Sequence, residues 1–496
     1  MTHRFFLSLL FLLCSAPPPR CRAASAAAQE LLLGFKAAPD PSVLSFQSFL
    51  GDSNSNYSLG FLRVSGTHLA LSVVHVPSSE SVWTAELTRP AKWSDETELF
   101  FNGSLVLSDR SSGVVWSTCT DGHRVWLSNT SNLQIQRLVG GGLAVDTVLW
   151  QSFDFPANTL VENQNFTSAM ALISSNGLYS MQLGFDFIGL YKVLHNRPGS
   201  GLLYWTHRAL QAKAKILEGH GPIYATLTSN GYLGMYQNRS VPVDVDPFSS
   251  YQIPVPGARR LRIEDDGNLN GYFWTGSSWV PDYIAIPDPC ELPNACGSFG
   301  LCHPGGKGCS CLDNSTTHAP SGTCISPENQ YSGERCREFK KNHRVVRRNG
   351  VDLPFKELRN GYRKTESWDE CESACEANCA CRGAVYSNAS GLCYTLDYPV
   401  MTLVSVADET KMGYFKVSEG ELGRKRKVMA EEWAGFGMVC GAIFVICGVG
   451  GWWCRSGMGK SGYRDDEEEE DSVIGGVGPY KHLGAESFRS IELSQT

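Results

Sequence analysis

Between Gln29 and Ile286 the apolar residues come in short alternating runs rather than in stripes spaced three and four apart. Examples are Val114–Thr118 (VVWST), Leu133–Gln136 (LQIQ) and Thr147–Trp150 (TVLW). Asn, Gly, Asp and Ser break the runs, as turns between half-buried strands require. A turn element recurs as Asn102-Gly103, Asn230-Gly231 and Asp266-Gly267. Such pairs favour hairpins because positive φ costs little there, so the pattern predicts related all-β units. Helical spacing surfaces at Trp368–Asn378, where Cys371 and Cys375 stand four apart on one face.

Two longer apolar stretches have a different meaning. Phe5–Leu13 follows Arg4 and precedes small residues, the order of a secretory signal peptide. Trp433–Trp453 has 21 residues without charge and tryptophan at both ends. At about 1.5 Å per residue it matches the hydrocarbon core of a bilayer. The two together predict a single-pass type I protein of the plasma membrane with its N-terminus outside. Arg424–Lys427 (RKRK) then lies outside, against the positive-inside tendency. Gly437 and Gly441 form a small-residue spacing through which two such helices would dimerise.

Charge adds little. Of a net charge of −7, the run Asp465–Asp471 supplies seven negative charges, so the remainder is near neutral and nothing points to nucleic acid. Cysteine adds more. Thirteen of the 18 cysteines lie between Cys119 and Cys393, a density suited to an oxidising compartment. Seven glycosylation acceptors (Asn56, Asn102, Asn129, Asn165, Asn238, Asn314 and Asn388) all precede the apolar span. Cys290, Cys296, Cys302, Cys309, Cys311 and Cys324 occur within 35 residues, too few for a self-sufficient core, so cross-links must replace it. Their spacing leaves 15 pairings open. Zinc is the alternative, but the set has no C-x2-C pair. Cys119 is left over and reads as a buried, inert thiol, with a bond to Cys21 or to another chain as the alternative.

Leu149–Val161 (LWQSFDFPANTLV), Leu261–Trp274 (LRIEDDGNLNGYFW) and Pro289–Cys302 (PCELPNACGSFGLC) appear in this order. They resemble segments of the plant S-locus glycoproteins and G-type (bulb-type) lectin receptor kinases. Trp368–Cys393 resembles the cysteine pattern of PAN modules. The whole is similar to PAN domain-containing members that lack a kinase. The resemblance implies a mainly β protein: a signal peptide (1–28), a bulb-lectin-like β-prism domain (29–160), and a second, S-locus-glycoprotein domain (161–286). After them it implies an EGF-like module (287–326), a PAN/apple α+β module (330–418), a juxtamembrane stretch (419–432), the transmembrane helix (433–453) and an acidic cytoplasmic tail (454–496). It also implies the pairs Cys290–Cys302, Cys296–Cys309, Cys311–Cys324, Cys371–Cys393 and Cys375–Cys381. Cys336 and Cys379 remain and are paired with each other.

Bulb lectins hold mannose through Q-x-D-x-N-x-V-x-Y, alternate residues sharing one strand face. On Phe100–Ser108 (FFNGSLVLS) those slots become Phe100, Asn102, Ser104, Val106 and Ser108. Only the apolar valine keeps its type, so this degenerate sugar site reads as bearing a glycan rather than gripping one. The second copy (Ser128, Thr130, Asn132, Gln134, Gln136) keeps one Asn. The third (Glu264, Asp266, Asn268, Asn270, Tyr272) is closest to the pattern. No phosphate loop, kinase catalytic motif, hydrolase elbow or metal-spaced histidine pair occurs, so the chain reads as non-catalytic and without cofactor. The expectation is a receptor-like surface glycoprotein that recognises an extracellular protein or peptide beside a kinase-bearing co-receptor. A carbohydrate-binding surface lectin is the alternative. A wall–membrane linker is the third class, its acidic polysaccharide held by the basic stretch Cys336–Gly350.

Overall fold

The computed structural model describes residues 27–418 except 139–145, 194–200, 210–222, 238–240, 299, 313–316, 319–323, 326–342, 355, 357–361 and 398–399. The signal-peptide run, the apolar span Trp433–Trp453 with Gly437 and Gly441, and Cys336, Asn238 and Asn314 therefore lie outside the described residues. No helix among the described residues is long and apolar enough to cross a membrane.

The alternating runs become antiparallel ribbons. In the first unit three sheets enclose one core. One sheet runs Phe46–Gly51, Tyr57–Arg63, His68–His75, Glu80–Thr84, a second runs Gly113–Ser117, Leu105–Asp109, Thr97–Phe101, Lys36–Ala37, and the third runs Glu30–Leu32, Arg124–Leu127, Leu133–Arg137, Thr147–Gln151. Alternate residues such as Leu99 and Phe101, or Val125 and Leu127, are almost wholly buried. Each sheet also contributes one tryptophan to a central cluster. Trp83, Trp116 and Trp150 meet edge to face with centroids 5.8–6.1 Å apart, the geometry that aromatic quadrupoles favour. Phe155 stacks on Trp150 at 5.6 Å, and its carbonyl accepts from Trp83 Nε1 at 2.8 Å. The LWQSFDFP stretch thus closes the first unit.

The second unit repeats the plan with three four-stranded sheets. They are Thr159–Val161, Arg259–Ile263, Leu269–Trp274, Trp279–Ile284, then Asn165–Phe166, Tyr224–Thr228, Tyr232–Tyr236, Pro242–Pro247, and Ala171–Ile173, Tyr179–Leu183, Phe187–Val193, Gly201–Arg208. Its hairpins turn on Gly231 (φ 79°) and Gly267 (φ 92°), where a side chain would be strained. The Arg259 guanidinium lies wholly inside, 2.6 Å from the Asp282 carboxylate. Ser250 donates to the same carboxylate from its hydroxyl (2.5 Å) and its N–H (2.8 Å).

The cysteine-rich segment is stapled by Cys290–Cys302, Cys296–Cys309 and Cys311–Cys324. It does not stand on cross-links alone. Gly300–Cys302 pairs in parallel with Leu403–Ser405, and Leu301 and Leu312 enter the core of the module that follows. Among the described residues that module is a five-stranded sheet in the order His343–Asn349, Lys411–Ser418, Cys381–Ser387, Leu392–Asp397, Tyr362–Lys364, packed against the helix Trp368–Ala377. Ser367 caps the helix by accepting from the Glu370 N–H at 3.3 Å, while the Glu370 carboxylate accepts from the Glu366 N–H at 2.9 Å. Cys371–Cys393 and Cys375–Cys381 tie the helix to the sheet, and Cys379 is also disulfide-bonded. At the other helix end the buried Lys416 donates to the Cys375 carbonyl at 2.8 Å and to the Asn378 carbonyl at 3.3 Å.

Cys119 corrects the expectation of a buried thiol: it is free and exposed. It lies in the turn after Gly113–Ser117 at φ 52°, its N–H held by Ser117 Oγ at 3.1 Å, and there its side chain faces solvent.

Candidate functional site

The slots of FFNGSLVLS do not share one strand. Phe100 is the last residue but one of Thr97–Phe101, Asn102 and Gly103 form the turn, and Val106 and Ser108 lie on the returning strand Leu105–Asp109. Phe100 stands directly opposite Val106, so the face presents an apolar pair where a sugar needs hydrogen-bonding groups. Lys36 covers it, 6.0 Å above the Phe100 ring and 3.3 Å from Glu98. The Ser104 hydroxyl is engaged by Ser117 Oγ (2.9 Å), Thr118 Oγ1 (3.2 Å) and the Thr120 N–H (3.3 Å). Ser108 reaches the Glu98 carbonyl at 3.5 Å. Asn102 is exposed at the tip, and its Oδ1 accepts from the Ser104 N–H at 3.2 Å.

The other two copies are also hairpins whose polar groups bond to the framework. In the second, the Ser128 and Thr130 hydroxyls bond each other, Asn132 donates to Gln151, and Gln136 donates to Gln134. In the third, Asn268 is buried and holds the chain at Ile286 from both ends of its amide, at 2.8 and 3.1 Å. Tyr272 donates to Glu264 at 2.8 Å, and burial followed by that bond raises its pKa. Asp266 accepts from the Asn268 N–H at 2.8 Å. Asn270 Oδ1 is buried without a partner.

That orphan borders a seam between the two three-sheet units that sequence reasoning missed. Arg260, nearly buried, pairs with Glu80 of the first unit at 2.7 Å. Its guanidinium lies 4.1 Å above the Trp279 ring and 5.2 Å above Tyr272. His75 of the first unit packs against Trp274 and Trp279 at 4.9 and 5.1 Å. Burial, and then the Arg260 charge, hold the His75 pKa below its usual value. No local pattern joins residues about 200 positions apart. Beside the seam a polar cleft of about 230 Å³ is lined by Tyr57, Asn129, Thr130, Glu162, Asn163 and Arg259. Burial, with the Asp52 and Glu162 charges behind it, pushes the Tyr57 phenol up to about 12, so it stays a neutral donor.

The five acceptor asparagines among the described residues (Asn56, Asn102, Asn129, Asn165 and Asn388) are all exposed. Among the described residues no three metal-binding side chains converge.

A PAN domain profile matches residues 354–417, the sheet-and-helix module. Over 473 residues, 94% of this chain and 92% of the relative, the sequence is 49% identical to the PAN domain-containing protein At5g03700 of Arabidopsis thaliana. This chain belongs to the PAN domain-containing proteins. The PAN domain-containing chain is also 26% identical over 412 residues to the G-type lectin S-receptor-like serine/threonine-protein kinase SD2-5 of Arabidopsis thaliana. That match takes in 79% of this chain and 47% of the kinase, so the chain spans about half the length of such relatives. Among solved structures, a two-domain lectin, the fetuin-binding Scilla campanulata agglutinin, overlaps 50% of this chain and 95% of its own at 15% identity and a TM-score of 0.19, a likeness too slight to support an argument.

Proposed function

We propose that this PAN domain-containing protein is a non-catalytic, single-pass surface glycoprotein that recognises an extracellular protein or peptide and acts with a kinase-bearing co-receptor. One observation carries the choice of a protein ligand over a sugar. The polar slot residues Ser104, Asn132, Gln136, Asn268 and Tyr272 are bonded to the chain's own framework, and Phe100 and Val106 oppose each other on an apolar face. Hydroxyl groups of a sugar would compete with those internal bonds, and the slot atom that has no partner, Asn270 Oδ1, is buried away from an incoming sugar. The receptor-like kinases among the relatives support a receptor role, and the exposed acceptor asparagines support a glycosylated outer face.

Proximity labelling on intact cells, from a tag placed before Leu31, tests the reading. Transmembrane kinases should be labelled, and soluble mannose should leave the pattern unchanged. Labelling displaced by mannose selects the surface-lectin alternative. Protease treatment of sealed vesicles that finds the cysteine-rich half on the cytosolic side refutes both.

A further inference from the structure

One sheet of the second unit has an aromatic outer face. Tyr224–Thr228, Tyr232–Tyr236 and Pro242–Pro247 turn Ala225, Leu227, Leu233 and Met235 inward, where they are almost wholly buried. The outward rows then carry three tyrosines. Tyr224 and Tyr236 stack with centroids 5.5 Å apart, and the Tyr232 hydroxyl lies 3.4 Å from that of Tyr236. Gly234 is the floor. A Cβ there would come 2.6 Å from Tyr236 Cε2, so only glycine lets that ring lie across the sheet. Partly exposed aromatic surface of this kind can serve as a stacking platform.

A glycosylation acceptor stands on the same face. Asn165 is directly opposite Thr226, Thr226 opposite Gly234, and Gly234 opposite Val245, so the four form one rung across the sheet. The other described acceptors (Asn56, Asn102, Asn129 and Asn388) sit in turns or bends, whereas Asn165 is in a strand. Its direction is therefore set by the pleat. Thr226 Oγ1 donates to Asn165 Oδ1 at 2.8 Å, which orients the amide and leaves Nδ2, the atom that takes the sugar, as its other arm. Tyr224 is the diagonal neighbour of Asn165, about 7–8 Å away across the strand pair. Gly234, under the Tyr236 ring, lies two strands over, roughly 10 Å away.

We propose that the N-linked glycan on Asn165 folds back along this rung, its first N-acetylglucosamine units seated on Tyr224 and Tyr236 above Gly234, so that this sugar is a structural part of the second unit. The occupant of the tyrosine face is the chain's own modification. The apolar face of each pyranose ring covers the phenol rings, while the phenol hydroxyls and Thr226 meet its polar edge. The inference rests on the surface-glycoprotein reading, because only a chain that enters the secretory route is glycosylated.

The test uses the full-length protein from plant cells whose glycans are kept in the oligomannose state. The native protein is treated with peptide N-glycosidase F, and release is followed site by site as Asn-to-Asp conversion by mass spectrometry. The Asn165 glycan should leave about tenfold more slowly than that on Asn388, the ratio given by ~1.4 kcal/mol of packing. Tyr224→Ser and Tyr236→Ser, each alone, should bring the two rates together. Thr167→Ala removes the sugar while keeping Asn165 and its bond to Thr226, and should lower the unfolding temperature. Equal rates in the wild type, slow release untouched by either tyrosine variant, or an unmodified Asn165 beside modified neighbours each overturn the proposal. A chain bare at every acceptor overturns the glycoprotein reading itself.

Discussion

The buried pair Arg259–Asp282 offers the sharpest test of how the second unit is held together. Arg259 is 0% exposed, and its guanidinium donates to Asp282 (2.6 Å), to Ser250 Oγ (2.5 Å) and to the carbonyls of Ser229 and Ile253 (3.2 Å each). Asp282→Asn keeps the shape but removes the charge, and its amide group would oppose donors with a donor. A buried ion pair contributes little over a hydrophobic replacement, yet losing one partner leaves a stranded charge that costs about 3–5 kcal/mol. For a unit of about 130 residues the unfolding entropy is near 0.27 kcal/mol/K, so ~4 kcal/mol lowers the transition by about 15 °C. Scanning calorimetry of the full chain should show that drop. Arg259→Met with Asp282→Leu should recover most of it, because neither charge is then stranded. A single variant that shifts by less than about 3 °C, or a double variant that falls further than the single, refutes the reasoning.

Three further outcomes concern the PAN module. Lys416→Met should cost about 1–2 kcal/mol, read as a lower denaturation midpoint, because it uncovers the carbonyls at the helix C-terminus. Burial pushes the Asp352 carboxyl up, but hydrogen bonds from Lys356 (2.8 Å) and Lys411 (2.6 Å) outweigh it and hold its pKa below the usual range. Its folded pKa is thus depressed, so its stabilisation is present above the unfolded value of about 3.9 and is lost as pH falls through the folded value. Asp352→Asn should flatten the unfolding free energy in that acid window and nowhere else. Removing the Cys371–Cys393 bond as the double alanine variant opens a loop with a sequence separation of 22, which loop-closure entropy converts to about 3 kcal/mol. A variant as stable as the wild type would show that the sheet alone positions the helix.

What could be read from the chain was local. Period-two runs bounded by turn residues gave strands close to their true limits. Val114–Thr118 became Gly113–Ser117, and Leu133–Gln136 became Leu133–Arg137. The helix predicted over Trp368–Asn378 ends one residue earlier, with Asn378 as its cap. The sugar slots were legible as a spacing but not as a surface, because a hairpin turn at Gly103 (φ 106°) separates residues that an extended strand would align. The exposure of Cys119 was hidden for a similar reason: a residue just past a strand end takes its direction from the turn, not from the pleat. The seam around Arg260, His75 and Trp279 has no sequence signature, since it depends on how two closed units meet. Nor did the cysteine spacing show that Leu301 would enter the next module's core through pairing with Leu403.

That last contact bears on how rigidly the modules are joined. Along Val400–Ser405 successive side chains enter different cores. Met401 is buried in the core of the second three-sheet unit, Val400 and Leu403 in the PAN core, and Val404 packs against the Cys290, Cys296 and Cys302 cluster. Thr402 adds polar ties, accepting from the Ala295 N–H at 3.0 Å and donating to the Leu292 carbonyl at 2.5 Å. Pulling one module away would expose its share of this segment, at ~1.5–3 kcal/mol for each large apolar side chain returned to water. Glu80, His75 and their partners join the first unit to the second in the same way. If the chain acts as the receptor proposed above, these joints would offer its partner a preformed composite face instead of a hinge that closes on it. Under the receptor reading, ligand binding would then be reported by which molecules the block is brought beside, not by a change of shape within it.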